Sequence, residues 1–170
     1  MKLINYIKDV KDFPKKGIIF KDISPLLANG EALNYTIEIM SELSKEADII
    51  IAPDARGFLF GTPVAAKLSK PLIMVRKKGK LPGKVIQKSY DLEYGNNIIE
   101  LQENMVHKGQ KAIIIDDVLA TGGTVNAICE LLESQGVEVI KILFLMELNS
   151  LNGRQKIAKY NVHSLINVEK

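Results

Sequence analysis

Asp116 and Asp117 stand side by side at the polar end of an apolar run, and seven residues, VLATGGT, follow them to Thr124. Two adjacent carboxylates are able either to ligate a metal or to accept hydrogen bonds from vicinal sugar hydroxyls. The residues that come next decide between these. Gly122 and Gly123 permit a tight turn into a helix beginning near Thr124. The first N–H groups of a helix lack internal partners and carry about half a positive charge, so they cradle an anion with backbone alone. Thr121 and Thr124 add hydroxyl donors. Charge-assisted hydrogen bonds contribute on the order of 1.5–3 kcal/mol each, so several would hold a monophosphate without a lysine. An acidic pair directly before an anion cradle favours a phosphorylated sugar over a metal. The chain contains no Gly-Lys-Ser/Thr triplet and no G-x-G-x-x-G, which removes nucleoside triphosphate loops and dinucleotide folds.

Two further strand ends are polar. PDARG, Pro53 to Gly57, follows the apolar run DIIIA, and its arginine is by itself a cation on a turn. RKKGK follows LIMV, so Arg76, Lys77, Lys78 and Lys80, with Lys84 beyond, form a basic cluster. That cluster reads as a site for an anionic ligand or as a solvated loop.

These residues need a scaffold. Apolar, β-branched runs recur at residues 48–52, 72–75, 111–116, 137–146 and 163–168 and read as strands. Helical patterns lie between them: ALNYTIEIMSELSK, GFLFGTPVAAKLSK, GTVNAICELLESQ and LNGRQKIAKY. Strand and helix in alternation predict an α/β fold with a mostly parallel central sheet flanked by helices, its strands continuously apolar because both faces are covered. Ligands of such sheets bind beyond the carboxyl ends of the strands, where all three polar motifs fall. Residues 81–97, LPGKVIQKSYDLEYGNN, form a long excursion, read as a hairpin or lid over a binding site.

At 170 residues one domain is expected, with about two thirds of its unfolded surface buried. A net charge of +3 is too small to imply nucleic acid as a partner. The longest apolar runs fall far short of the roughly 20 residues of a membrane span, and no signal peptide is legible, which predicts a cytoplasmic protein. The single cysteine, Cys129, excludes an internal disulfide and reads as a buried structural thiol. His107 and His163 are too far apart in the chain to suggest a metal cluster.

IIIDDVLATGGT resembles the phosphoribosyl diphosphate (PRPP) signature of the type I phosphoribosyltransferases. The resemblance extends through FPKKGIIFKDISPLL (13–27), ARGFLFG (55–61), VRKKGKLPG (75–83) and SYDLEYG (89–95), in order and at family spacing, and points to the members that act on adenine. It implies that Asp116 and Asp117 engage the ribose hydroxyls, and that Ala120, Thr121, Gly122, Gly123 and Thr124 hold the 5′-phosphate. Asp54, Ala55 and Arg56 would form the pyrophosphate loop, with a strained non-proline peptide between Asp54 and Ala55. Arg76, Lys77 and Lys80 would compensate the charge of the departing pyrophosphate. One cation of that segment would reach the site of a neighbouring subunit in a homodimer.

The same resemblance places 1–32 as a small hood over the base. There Phe20 would lie against the base, the backbone of Ile18 and Lys21 would read its edge, and Leu119 would add a contact. Glu93 and Tyr94, on the lid, would be catalytic together with Arg56. Glu93 would meet the purine at N7, and Tyr94 would help to close the site against water. Magnesium is expected with PRPP, held by the diphosphate and water rather than by protein ligands. The implied reaction is transfer of the phosphoribosyl group from PRPP to N9 of adenine. The alternatives are another purine base (hypoxanthine, guanine or xanthine) and a PRPP-sensing purine regulator. The regulator would need a nucleic-acid-binding extension that no segment supplies. No membrane or nucleic-acid partner is implied.

Overall fold

The computed structural model describes residues 1–92 and 95–169. Seven strands form one sheet: β3 (Ile49–Pro53), β4 (Leu72–Lys77), β5 (Val85–Leu92), β6 (Gly95–Gln102), β7 (Lys111–Leu119), β8 (Glu138–Leu148) and β9 (Val162–Val168). Their order is β5-β6-β4-β3-β7-β8-β9. The five strands from β4 to β9 in this order are mutually parallel, and the β5–β6 hairpin adds an antiparallel edge beside β4. The fold is the mostly parallel α/β sheet that the apolar runs predict. A separate two-stranded ribbon, β1 (Lys8–Lys11) with β2 (Ile19–Asp22), makes the N-terminal hood.

Side chains of a strand alternate between faces, so a continuously apolar strand must be buried on both sides. The central strands behave this way. Ile49 and Ile51, Ala112 and Ile114, and Ile142 and Phe144 face one core, which α4 (Gly123–Ser134) closes with Val125, Ile128, Cys129 and Leu132. Ile50, Ile113 and Ile115, and Leu143 and Leu145 face the other. That core is closed by α2 (Gly30–Leu43) and α3 (Arg56–Leu68) through Met40, Phe60 and Val64. A short helix, α1 (Ser24–Leu27), joins the hood to α2. The α2 helix begins where the Asn29 side chain accepts the Ala32 N–H at 2.9 Å, a cap that satisfies one orphan donor.

Two sequence expectations change. LNGRQKIAKY does not form an α-helix: it makes 3-10 turns at Asn149–Leu151 and Gly153–Ile157. Asn152, at φ 51°, interrupts any longer helix, and Gly153 is pressed against the backbone of Ala120. The excursion assigned to 81–97 continues further, because β5 and β6 pair from Leu92–Gly95 back to Val85–Gln102.

Helix α3 lies close upon β3 because its facing residues are glycines. A Cβ on Gly61 would stand 2.7 Å from the Cβ of Ala52. Gly61→Ala is therefore expected to cost about 1–3 kcal/mol of stability, as overpacking of a rigid core does. Urea unfolding followed by circular dichroism measures it, and an unchanged midpoint would contradict this packing.

Candidate active site

The strand order reverses between β3 and β7: β4 follows β3 on one side, and β8 and β9 follow β7 on the other. The crevice beyond their carboxyl ends is the usual ligand position of an open parallel sheet. A cavity of about 350 Å³ opens there. Its walls include Pro53 to Arg56 after β3, Lys77 of β4, Tyr90 and Asn97 of the hairpin, and Asp116 to Val125. Three motifs far apart in sequence thus meet at one sheet edge.

Asp116 and Asp117 form the floor. Asp117 donates its backbone N–H to Asp116 Oδ1 at 2.8 Å. Burial, then the charge of Asp117, pushes the Asp116 carboxyl well above the ordinary carboxylate range, against the smaller opposing effects of that hydrogen bond and of Arg56. Asp116 therefore holds its proton to higher pH and limits the negative charge of the pair. Arg56 Nε stands 2.7 Å from Asp117 Oδ2, an ion pair whose angle supplies no hydrogen bond. Among the described residues that buried oxygen has no hydrogen-bond partner. Asp117 lines the cleft, and a carboxylate oxygen without a hydrogen bond beside it suits a donor such as a sugar hydroxyl. Gly57 makes the arrangement possible, since a Cβ there would lie 3.0 Å from Asp116 Oδ1 and 2.8 Å from Pro53.

The turn after β7 carries the glycines read in the sequence as an anion cradle. Gly122 adopts φ 85° immediately before α4, and a Cβ on it would stand 2.6 Å from Gly153 O. Only glycine fits both constraints. At Gly123 the space is open: a Cβ would meet nothing nearer than 3.9 Å. Thr121, Gly123 and Thr124 thus border a vacant volume at a helix start, the arrangement that binds phosphate.

In the PDARG loop, the Asp54–Ala55 peptide is cis. Asp54 Oδ2 lies 3.2 Å from Arg76 Nε and 3.5 Å from Lys80 Nζ. Of the three cations assigned to this segment, Lys77 lines the cleft. Arg76 alternates to the other face of β4, where its guanidinium lies 5.8 Å from the ring of Phe58. Lys80 is at the basic turn, outside the lining. Buried Glu100 accepts the Gly79 N–H at 2.7 Å and so ties this turn to the hairpin.

The hood reaches the site through Arg56. Its guanidinium lies 5.3 Å from the centroid of the Phe20 ring, which in turn packs edge-on against Phe13 at 5.1 Å. One side chain thus touches the proposed base-binding residue and the proposed ribose-binding residue. Lys21 pairs with Asp9 at 2.7 Å, and the Ile18 N–H is donated to Lys15 O within the hood turn. Leu119, buried, lines the cleft. Glu93 and Tyr94 lie outside the described residues. Cys129 is enclosed in α4, and burial pushes its thiol up to about 12, which fits an inert structural cysteine.

Sequence reasoning gave no role to Tyr90, whose hydroxyl is 3.0 Å from Thr124 Oγ1 and 3.4 Å from Asn97 Nδ2. Alternation along β5 carries the signal: Ile86 and Tyr90 pack onto the α4 core and Lys88 pairs with Glu130 at 3.2 Å, all at even positions.

Residues 23–170 match the family model for the phosphoribosyl transferase domain. The adenine phosphoribosyltransferase of Mycoplasmopsis pulmonis is 69% identical over 168 residues, 99% of each chain. Among solved structures, the adenine phosphoribosyltransferase of Thermoanaerobacter pseudethanolicus superposes with a TM-score of 0.93 at 46% identity, covering 98% of both chains. The Giardia lamblia enzyme, complexed with 9-deazaadenine, gives 0.91 at 35% identity over 100% of this chain and 99% of that one.

Asp116 generates a testable consequence for stability. A carboxyl whose folded value is raised binds more protons folded than unfolded, so stability falls as pH rises through the interval above its unfolded value near 3.8. Asp116→Asn removes that burden while Asn Oδ1 still accepts the Asp117 N–H. The variant is expected to melt higher than the parent at pH 7, with the difference shrinking as pH approaches 4, in calorimetry across that range. A lower melting temperature at pH 7 would contradict the buried, proton-holding carboxyl.

With the acidic pair, the glycine turn and the PDARG loop gathered at one cleft and relatives matching over the whole length, the chain belongs to the phosphoribosyltransferase family.

Proposed function

We propose that this protein transfers the 5-phosphoribosyl group of PRPP to N9 of adenine, giving AMP and diphosphate in purine salvage. The donor half of this reading rests on one observation: the orphaned Asp117 Oδ2 sits beside an open, glycine-walled cradle at a helix start. The acceptor half rests on the adenine phosphoribosyltransferases that match nearly the whole chain.

In the reaction the bond from C1 of the ribose to the diphosphate oxygen breaks and a bond from C1 to adenine N9 forms. The electron pair leaves with diphosphate, and the base loses the proton from its imidazole ring. Asp116 and Asp117 orient the ribose through its hydroxyls. Backbone amides of Thr121 to Thr124 hold the 5′-phosphate, and the two anchors together fix C1 opposite the base. Arg56 and Lys77, with the Asp54–Ala55 loop, receive the charge that accumulates on the departing diphosphate. Magnesium is part of the substrate, since a hard cation of this kind takes diphosphate and water oxygens as ligands. Phe20 packs against the base and Leu119 lies beneath it. A 6-oxo purine would leave backbone groups matched to a 6-amino purine unpaired, which can discriminate by as much as about 10⁴-fold. Glu93 manages the purine proton at N7, and Tyr94 acts in closure.

The working form is a cytoplasmic homodimer. Arg76 is turned away from its own cleft toward Phe58 of α3, and β4 and α3 each expose an apolar side chain, Met74 at 39% and Leu59 at 44%. A subunit contact there would cover them and carry Arg76 toward a partner.

One assay tests the reading: PRPP, Mg²⁺ and each nucleobase in turn, with nucleotide products separated by chromatography. AMP from adenine is expected, with little product from hypoxanthine, guanine or xanthine. Preferential use of hypoxanthine would overturn the substrate. In the same assay Glu93→Gln is expected to lower kcat by about 10²–10⁴, the range for general acid–base catalysis. An unchanged kcat would remove Glu93 from that role.

A further inference from the structure

The proposed phosphate loop, residues 120–124, contains amides and hydroxyls but no cation. A monophosphate is close to a dianion at neutral pH, so the charge of this site must be met from elsewhere. The structure brings a lysine to it from a distant segment.

That segment is the 3-10 turn Gly153–Ile157, and it is held firmly behind the loop. Arg154 donates from Nε to Glu147 Oε1 at 3.0 Å and from Nη2 to Glu147 Oε2 at 2.6 Å, a two-pronged pair. Arg154 Nη1 donates to Val162 O at 3.0 Å, and Ser164 Oγ donates to Glu147 Oε2 at 2.9 Å. The hydrogen bonds from Arg154 hold the Glu147 carboxyl below its ordinary range, so the clamp stays charged at neutral pH. Ile157 is fully buried in the α4 core. Gly153 meets the loop backbone to backbone: a Cβ on it would stand 2.2 Å from Ala120 O.

With its neighbours fixed in this way, Lys156 extends over the loop. Its Nζ lies 3.9 Å from the point where a Cβ on Gly123 would stand. Thr121 Oγ1 and Tyr90 Cδ2 lie 3.9 Å from that same point, and nothing is nearer. An ammonium, a hydroxyl and an aromatic edge therefore surround one open volume above the helix start. Among the described residues Lys156 forms no ion pair, unlike Arg154 beside it.

We infer that Lys156 is a further binding residue for the 5′-phosphate of the donor and of the nucleotide product. The assignment rests on the phosphoribosyl reading and adds to it a charge that the motif itself lacks. Lys156 acts on ground state and transition state alike, because the 5′-phosphate is unchanged in the reaction, so it governs affinity and not turnover.

The test titrates the wild type, Lys156→Met and Lys156→Arg with AMP, ribose 5-phosphate and inorganic pyrophosphate by calorimetry, and measures KM for PRPP alongside kcat. Lys156→Met is expected to weaken AMP and ribose 5-phosphate about tenfold, the size of one charge-assisted contact at a solvent-accessible position. KM for PRPP should rise by a similar factor, while kcat and pyrophosphate affinity stay level. Lys156→Arg should recover most of the loss. Parental affinity for AMP in Lys156→Met would overturn the assignment, as would equal weakening of pyrophosphate, which would mean a disordered loop. A wild type that bound neither AMP nor ribose 5-phosphate would sink the phosphoribosyl reading itself, and Lys156 with it.

Discussion

Two carboxylates share the buried end of β7, and the site is arranged around the cost of keeping them there. Removing an isolated carboxylate from water is prohibitive unless the group is paired or neutralised. Here both remedies operate, because burial and the charge of Asp117 shift Asp116 toward its protonated form and Asp117 is set against Arg56. The second remedy determines where α3 begins. Arg56 opens that helix, and Gly57 allows its first turn to approach Asp116 closely enough for the pair to form. The proximity of β3 and β7, the glycines of α3 and the position of the arginine answer one electrostatic demand.

A second constraint is steric. The turn that opens α4 is not a free loop; its backbone is stacked on that of Gly153, with the Glu147–Arg154 clamp behind. Glycine is required on both sides of this contact. The cradle is therefore shaped by a residue about thirty positions downstream. Such preorganisation fixes amides where an anion needs them, at no cost at the moment of binding.

Much of this was legible in the sequence where local chemistry governs. The apolar runs located all five parallel strands because burial on both faces demands uninterrupted apolar residues, and Ile49 to Ile51 or Ile113 to Ile115 do no other work. Asp116, Asp117 and the Gly122–Gly123 turn could be assigned to one strand end through spacing alone, and they line one cleft. What escaped was set by distant packing. The 151–160 pattern has helical periodicity, yet Asn152 turns left-handed and Gly153 answers to Ala120, a neighbour that no local window contains. Arg76 and Lys77 look equivalent in sequence, but strand alternation sends one to the cleft and the other to Phe58. Tyr90 lines the cleft and Lys156 reaches the Gly123 turn only because β5 and the 3-10 turn both lean on α4.

The β5–β6 hairpin is a strut between two parts of the cleft. It joins β4 through Arg76–Glu100 and Lys77–Ile99 and rests on α4 through Ile86, Tyr90 and the Lys88–Glu130 pair, while its own two strands pair from Val85–Gln102 to Leu92–Gly95. Held by β4 on one side and by α4 on the other, it spans the distance from the basic turn to the start of α4. Its β4 side also carries the basic turn, since Gly79 hangs from Glu100 and Lys78 from Ile98. One hairpin thus borders both the basic turn and the glycine turn, so the spacing between these two ends of the cleft is set by a single pair of strands.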